Sequence, residues 1–403
     1  MEFYVQDFAD RPWASYPGHW IRAQDTIFVI ESDKHGAMGS SFVSFLDPGD
    51  ADVFYAKYGG RRLRLAELTS EVFAASQQSH FERLVEADGP VGSVVRTSRP
   101  LMGALFEIAA WVPKSREVAA TALLDEALEA AASLEKQISS WDPDSETSAV
   151  NRAAGLAPLA VGRDLRALVD TSFSWSKRTG GAFDVTVAPL LELWNRAGDR
   201  GVPPTETEIQ TELERVGFEK ILLEQETLCL TRPGMRLGFG AIGKGFAADR
   251  VAETLRGAGV ANFIVDAGGD LIVSGSRGDA PWQVVFAIRG EPACWRWRRF
   301  PIEPSRLRAI TSSSFRSGIT AILTSWIRES GRPVSGLTSV TVFFARAVDS
   351  DALATALFVM GGEEGVDFVE GIADAEALFV DDAGSTILSF GLRLEGERLV
   401  ISE

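Results

Sequence analysis

Apolar positions recur along the chain in two rhythms. Residues 101–112 form a mostly apolar stretch, interrupted by Glu107, that predicts a strand with Met102-Gly103 at its head. The spacing then changes to three and four residues. Leu124, Ala127, Leu128, Ala131, Leu134 and Ile138 make the buried stripe of a helix that has Val118 in its first turns and that Ser115 is placed to cap. A second amphipathic helix carries Leu165, Leu168, Val169, Ser172 and Phe173, and a third carries Ala248, Val251, Ala252 and Leu255 before stopping at Gly257 and Gly259. Directly after it the β-type run Phe263-Ile264-Val265 leads into the turn Gly268-Gly269-Asp270. Residues 338–345 predict another strand, and a helix follows from Asp349.

The N-terminal part is patterned differently. Phe3-Tyr4-Val5, Ile27-Phe28-Val29-Ile30 and Phe42-Val43-Ser44-Phe45 are short strand signals separated by Pro, Gly and Asp. A helix is expected over residues 51–58, a turn at Gly59-Gly60 and a continuation over 63–73. Residues 76–98 are polar, with Gly-Pro and Gly-Ser pairs, and read as a connector. The division is therefore 1–75, a linker at 76–97, and a main domain from 98 to 403.

Composition removes whole classes of function. The 403 residues carry a net charge of −16, which disfavours nucleic acid and anionic membrane surfaces, so an anionic ligand has to be held by local positive groups. No apolar run reaches membrane-spanning length. Cys229 and Cys294 belong to no CxxC pair, so neither a disulfide framework nor a zinc site is expected. The only histidines are His19, His35 and His80, so the main domain has to work without imidazole of its own. The start MEFYVQDFAD lacks the basic and apolar segments of an export signal.

Candidate chemistry gathers at glycines. In Gly238-Phe239-Gly240-Ala241-Ile242-Gly243-Lys244-Gly245, residues without Cβ precede a helix start, where unpaired N–H groups and a positive dipole end attract an anion, and Lys244 adds a cation. The same spacing also serves as plain punctuation between elements, and it matches neither a Walker loop nor a dinucleotide fingerprint. Gly180-Gly181-Ala182-Phe183-Asp184 either exposes backbone N–H groups beside a carboxylate at a pocket rim, or is a turn with Asp184 capping a short helix. Asp351 and Thr355, four apart, share a helix face as two hard oxygen donors suited to Mg²⁺. The simpler alternative has Asp349 as N-cap and Thr355 bonded back to its own helix. His35 and Met38 offer a nitrogen and a soft sulfur to copper, or are a loop histidine and a core methionine. Trp282, Trp295 and Trp297 lie among arginines in a stretch read as strand-edge packing, and residues 311–314 are a hydroxyl cluster.

Two family resemblances join these pieces. FVIESDKHGAMGSSFVSFLDPGDADVFYAKYGGRRLRLAELT resembles the later part of NosL, the copper-handling accessory protein of nitrous-oxide reductase, but lacks that family's cysteine-containing metal motif. From Ser98 onward, Met102-Gly103, Asp144-Ser145-Glu146 with Asn151, GGAFDVTVAPLLELW, GAIGKGFAAD, AGGD and DALATAL, in that order, resemble the ApbE family of FAD:protein FMN transferases. This resemblance implies an α+β fold of two lobes with mainly antiparallel sheets, preceded by the small α+β NosL-like unit. It implies FAD contacts from Met102, Ser145, Ala182, Phe183, Asp184 and Lys244, and Mg²⁺ held by the carbonyl of Ala241 with the side chains of Asp351 and Thr355. It further implies transfer of FMN to a Thr or Ser hydroxyl of an acceptor flavoprotein, with AMP released and Asp349 or Asp270 taking the hydroxyl proton. The NosL-like segment suggests an acceptor in nitrous-oxide respiration, and family habit suggests the periplasm. The chain departs from the family where H-I-I-D-P-x-T-G-x-P-V is usual: residues 324–334 read TSWIRESGRPV, keeping only the Gly-x-Pro-Val end. Asp266 also stands where the family has Asn. Binding of FAD without transfer, a copper accessory role, and hydrolysis of FAD to FMN and AMP are the competing readings.

Overall fold

The computed structural model describes residues 4–6, 20–30, 32, 35–36, 39–40, 43–68, 92–290, 294–302, 308–314, 326–327, 330–395 and 398–401. The chain divides into two compact units, the first made of residues 1–88, 283–301 and 394–400, the second of 89–282, 302–393 and 401–403.

In the first unit, strand β1 (Ile27–Ile30) lies between β2 (Val43–Phe45) and β3 (Arg61–Arg64), both antiparallel to it. Helix α1 (Pro48–Tyr58) starts three residues earlier than the apolar pattern indicates, because Asp47 accepts the Gly49 N–H and a proline fits the first turn. Val29, Val43, Phe45 and Ala51 form its small core. The expected continuation of the helix over 63–73 is corrected: Leu63 sits in β3, and Leu65–Glu67 is a single 3-10 turn. His35 lies in a two-residue strand, but its side chain and Met38 fall outside the described residues, as do residues 69–91.

The second unit is built on an eight-stranded antiparallel sheet whose neighbours follow chain order: β4 (Gly92–Leu101), β5 (Ala104–Pro113), β6 (Phe263–Ala267), β7 (Asp270–Ser274), β8 (Arg308–Ser314), β9 (Leu337–Phe344), β10 (Glu376–Asp381) and β11 (Thr386–Leu388). The connector drawn from polarity is too long, since residues 92–97 pair with β5 from Ser93↔Val112 to Thr97↔Ile108. Their Val94-Val95 pair and Thr97 are β-branched residues suited to a strand.

Helix α2 (Glu117–Ile138) buries Leu124, Ala127, Leu128, Ala131, Leu134 and Ile138, the stripe read from the sequence. Its N-cap is Arg116 rather than Ser115, which lies in the 3-10 turn ahead of it. Short helix α3 (Glu146–Arg152) and helix α4 (Arg163–Arg178) follow, the latter burying Leu165, Leu168, Val169 and Ser172. Helix α5 (Ala188–Arg200) comes next. Helix α6 (Gly243–Gly257) and the almost wholly buried helix α7 (Ala347–Met360) complete the layer. Residues of α2, α6, α7 and the inward faces of β5, β6 and β9 share one core. A helix buried on nearly every side, as α7 is, needs partners all round, and its Ser350, Asp351 and Thr355 are buried with the apolar residues.

Candidate active site at the glycine loop

The sheet brings two hairpin tips to the same end. Leu101↔Ala104 closes the turn Met102-Gly103 between β4 and β5, and Gly268-Gly269 joins β6 to β7. Gly268, at φ 66, lies so close that a Cβ there would come within 2.4 Å of the Ala104 Cβ. Met102 itself is left-handed, with φ 51, a conformation that costs about 1 kcal/mol or more in a residue with a side chain. The Glu135 carboxylate of α2 holds it by accepting the Met102 N–H at 2.8 Å.

The glycine loop is fixed from both flanks. Asn151 clasps Leu237 twice, its Nδ2 donating to the carbonyl and its Oδ1 accepting the N–H, at 3.0 and 2.7 Å. Gly238 N donates to the Val185 carbonyl, so the 180–190 segment lies against the loop. Ser145 caps α3: its Oγ accepts from Ser148 N at 3.0 Å and donates to the Ser139 carbonyl at 2.5 Å. Trp141, on that same loop, is 90% exposed.

Beyond the loop, α6 begins with no side-chain cap of its own. The Gly245 N–H donates at 3.0 Å to Asp351 Oδ2 on α7 rather than back along its own chain. The Ala241 carbonyl, four residues earlier, consequently accepts nothing among the described residues, and the N–H groups of Gly240, Ala241 and Lys244 also find no partner there. Lys244 Nζ meets Asp270 Oδ2 at 2.5 Å. Asp270 is fully buried, and its Oδ1 has no hydrogen-bond partner among the described residues. Thr355, 7% exposed, makes no bond back to its helix, contrary to the simpler reading of its position.

Charge in this cluster is unbalanced. Burial works against the Lys244 ammonium, but Asp270 and Asp351 outweigh it and raise its pKa. Burial raises Asp351 to about 8, with the Asp270 charge adding to it, and burial raises Asp266 to about 6. Several carboxyl groups thus surround one ammonium, and a divalent cation would supply the missing positive charge. Among the described residues no three His, Cys, Asp or Glu side chains are grouped to hold a metal. The available donors are instead one carboxylate, one carbonyl and one hydroxyl, from Asp351, Ala241 and Thr355. This hard-oxygen set with spare lone pairs fits Mg²⁺.

Other expectations fare differently. The double glycine exposes no amides: Gly180, Gly181 and Ala182 donate to the Lys177, Ser176 and Thr179 carbonyls, and Phe183 to Thr179 Oγ1. Asp184 is only 7% exposed, and the short helix it serves is the 3-10 turn Phe218–Lys220 rather than one that follows it directly. Its Oδ1 accepts from Thr186 N and Oγ1 at 2.8 and 2.6 Å, and its Oδ2 from Phe218 N at 2.9 Å. Asp349 is not the N-cap of α7. Its Oδ1 takes the Trp175 indole N–H at 2.8 Å and its Oδ2 lies 3.7 Å from Arg346. The cap is Asp249 of α6, a residue the sequence reading passed over, accepting the Ala347 and Val348 N–H groups at 3.1 and 3.0 Å. Its position four residues after Gly245, on the same helix face, was the available signal. Glu107, opposite Asp266 across β5 and β6, was also missed, and burial raises it to about 8. A cavity of about 480 Å³ lined by Asp249, Phe246, Arg250, Arg163 and Arg346 shares no lining residue with the Lys244 cluster. Of the 324–334 segment, Trp326–Ile327 pairs with Arg332–Pro333, and Gly331 O accepts the Trp194 indole N–H at 3.0 Å. Thr324 and Ser325 lie outside the described residues, as do the side chains of Trp295, Trp297 and residues 311–314.

The geometry defines an α+β protein whose glycine loop lies beside a buried lysine–aspartate pair and a second helix that supplies Asp351. By sequence, the model described as the ApbE family matches residues 102–379, and the model described as NosL matches residues 1–73. The chain belongs to the ApbE family. The FAD:protein FMN transferase of Vibrio cholerae is 32% identical over 242 residues, covering 58% of this chain and 72% of that protein. The FAD:protein FMN transferase of Treponema pallidum is 29% identical over 264 residues, covering 59% and 71%. Among solved structures, the flavin transferase ApbE from Vibrio cholerae matches with a TM-score of 0.65 at 26% identity, covering 74% of this chain and 98% of that one. The apo flavinyl transferase ApbE of Pseudomonas stutzeri gives 0.65 at 25% identity, covering 75% and 97%.

Proposed function

We propose that this chain transfers the FMN part of FAD to a Thr or Ser hydroxyl of an acceptor flavoprotein. The diphosphate of FAD lies against the free amides of Gly240, Ala241 and Lys244, with the Lys244 ammonium beside them. Asp351, Thr355 and the Ala241 carbonyl hold Mg²⁺, which when bound offsets diphosphate charge. The acceptor oxygen bonds to the FMN-side phosphorus, the bridging P–O bond breaks, and AMP leaves with that oxygen. Asp270, whose Oδ1 is unengaged, is the better placed of the two candidate bases, because Asp349 is committed to Trp175. The observation that carries this reading is the convergence of Gly245, Lys244, Asp270 and Asp351 through two direct bonds.

The NosL match at residues 1–73 supports an acceptor belonging to nitrous-oxide respiration, and membership of the ApbE family supports a periplasmic place of work. A second reading, retention of FAD without transfer, draws on the replaced histidine and aspartate of the 324–334 segment. Incubation of the full chain with FAD, Mg²⁺ and an acceptor bearing a target hydroxyl separates the readings. Covalent flavin fluorescence on the acceptor with stoichiometric AMP supports transfer. Bound FAD with no AMP supports retention, and free FMN with AMP but an unlabelled acceptor supports hydrolysis.

A further inference from the structure

Helices α6 and α7 cap one another. Asp351 of α7 takes the Gly245 N–H in the first turn of α6, and Asp249 of α6 takes the Ala347 and Val348 N–H groups in the first turn of α7. The two helices approach so closely that a Cβ on Gly245 would lie 2.3 Å from the Ala347 carbonyl oxygen. Each free helix start would otherwise leave buried donors unpaired, at a cost of about 1–3 kcal/mol per group. Neither α6 nor α7 has an N-cap side chain of its own, so the exchange between them replaces local capping.

The exchange has a consequence for the site. Asp249 sets where α7 begins, and Asp351 and Thr355 follow in the next turns of that helix. We propose that Asp249 is a positioning residue, holding α7 in register with the glycine loop so that the oxygens of Asp351 and Thr355 meet the Ala241 carbonyl around one cation. This rests on the proposed cation site and adds the residue that sets its geometry. Outer partners of this kind commonly change metal affinity 10- to 100-fold when removed.

Mn²⁺ binding to the full chain without FAD, followed by electron paramagnetic resonance, tests it on wild type, Asp249→Ala and Asp249→Asn. Thermal melts of each protein are recorded alongside. The expected result is saturable binding to wild type, weakening of about 10-fold or more in Asp249→Ala, and an intermediate affinity in Asp249→Asn, whose one remaining oxygen can keep one of the two N–H bonds. A purely structural residue would lower the melting temperature and leave Mn²⁺ affinity of the folded protein unchanged, and that result overturns the proposal while leaving the cation site standing. If Asp249→Ala does not fold, Asp249→Asn decides on the same criterion. Wild type that binds no Mn²⁺ removes the cation site and this inference with it.

Discussion

The two glycine-rich bends of the second unit look alike in sequence and differ in how their backbones are used. At Gly180-Gly181 each amide from 180 to 183 is bonded within the end of α4, and the following Asp184 is consumed by Thr186 and Phe218. At 238–245 the amides of Gly240, Ala241 and Lys244 find no partner among the described residues, and the Gly245 amide is diverted to another helix. The first bend closes a helix and the second opens one. A helix end leaves carbonyls to satisfy and a helix start leaves donors, so only the second can receive an anion.

Removing the cation tests this contrast most severely. Lys244→Met should cost about 3–5 kcal/mol, because it strands the fully buried Asp270 charge, and should abolish FAD retention. The double variant Lys244→Met with Asp270→Asn should recover most of the lost stability in chemical denaturation without recovering FAD. Recovery of both would show that the lysine serves the fold alone.

At the other bend, Asp184→Asn replaces the acceptor facing Phe218 N–H with a donor and should cost about 2 kcal/mol in urea unfolding. FAD affinity of the folded variant should change little; a large loss would mean that Asp184 reaches the flavin despite its three bonds.

A single methyl group then sharpens the comparison. A Cβ at Gly180 or at Gly240 meets nothing within 4 Å, but Gly180 has φ 60 and Gly240 is not among the positive-φ residues. Gly180→Ala should therefore destabilise by about 1 kcal/mol and spare FAD binding. Gly240→Ala should leave stability within about 1 kcal/mol of wild type and weaken FAD, since the methyl occupies the space a ligand would use. Equal FAD affinities in the two variants would erase the difference between the bends.

The smallest effect concerns pH. Burial, with Asp266 beside it, raises Glu107 from 4.5 to about 8. The folded protein therefore holds this proton more tightly than the unfolded chain. Its contribution to stability is full below about 4.5 and is lost progressively as pH rises toward 8. Glu107→Gln should flatten the decline in melting temperature across that window, and an unchanged slope would assign the decline to other groups.

Much of this was legible in the sequence because it is local. The stripes of α2 and α4 and the punctuation at Gly257 follow from spacing, and the order of the motifs carried the family. What could not be read was pairing between distant segments. Asp349 resembles an N-cap by position, yet Asp249, on a different helix, occupies the α7 start. Thr355 resembles a self-bonding threonine, but no such bond forms. Residues 92–97 resemble a linker until β5 is available to pair with them. For Asp349 and for residues 92–97 the deciding partner lies on another element.

The sheet carries one more consequence, for the order in which the molecule is made. Strand β5 lies beside β6, yet residues 114–262 separate them in the chain. That contact closes a long loop and is slow to find. The tips bearing Met102 and Gly268 face each other only once it has formed. During refolding, helical signal should therefore return well before the capacity to hold FAD, and a nascent chain remains inert toward flavin until its second half has emerged.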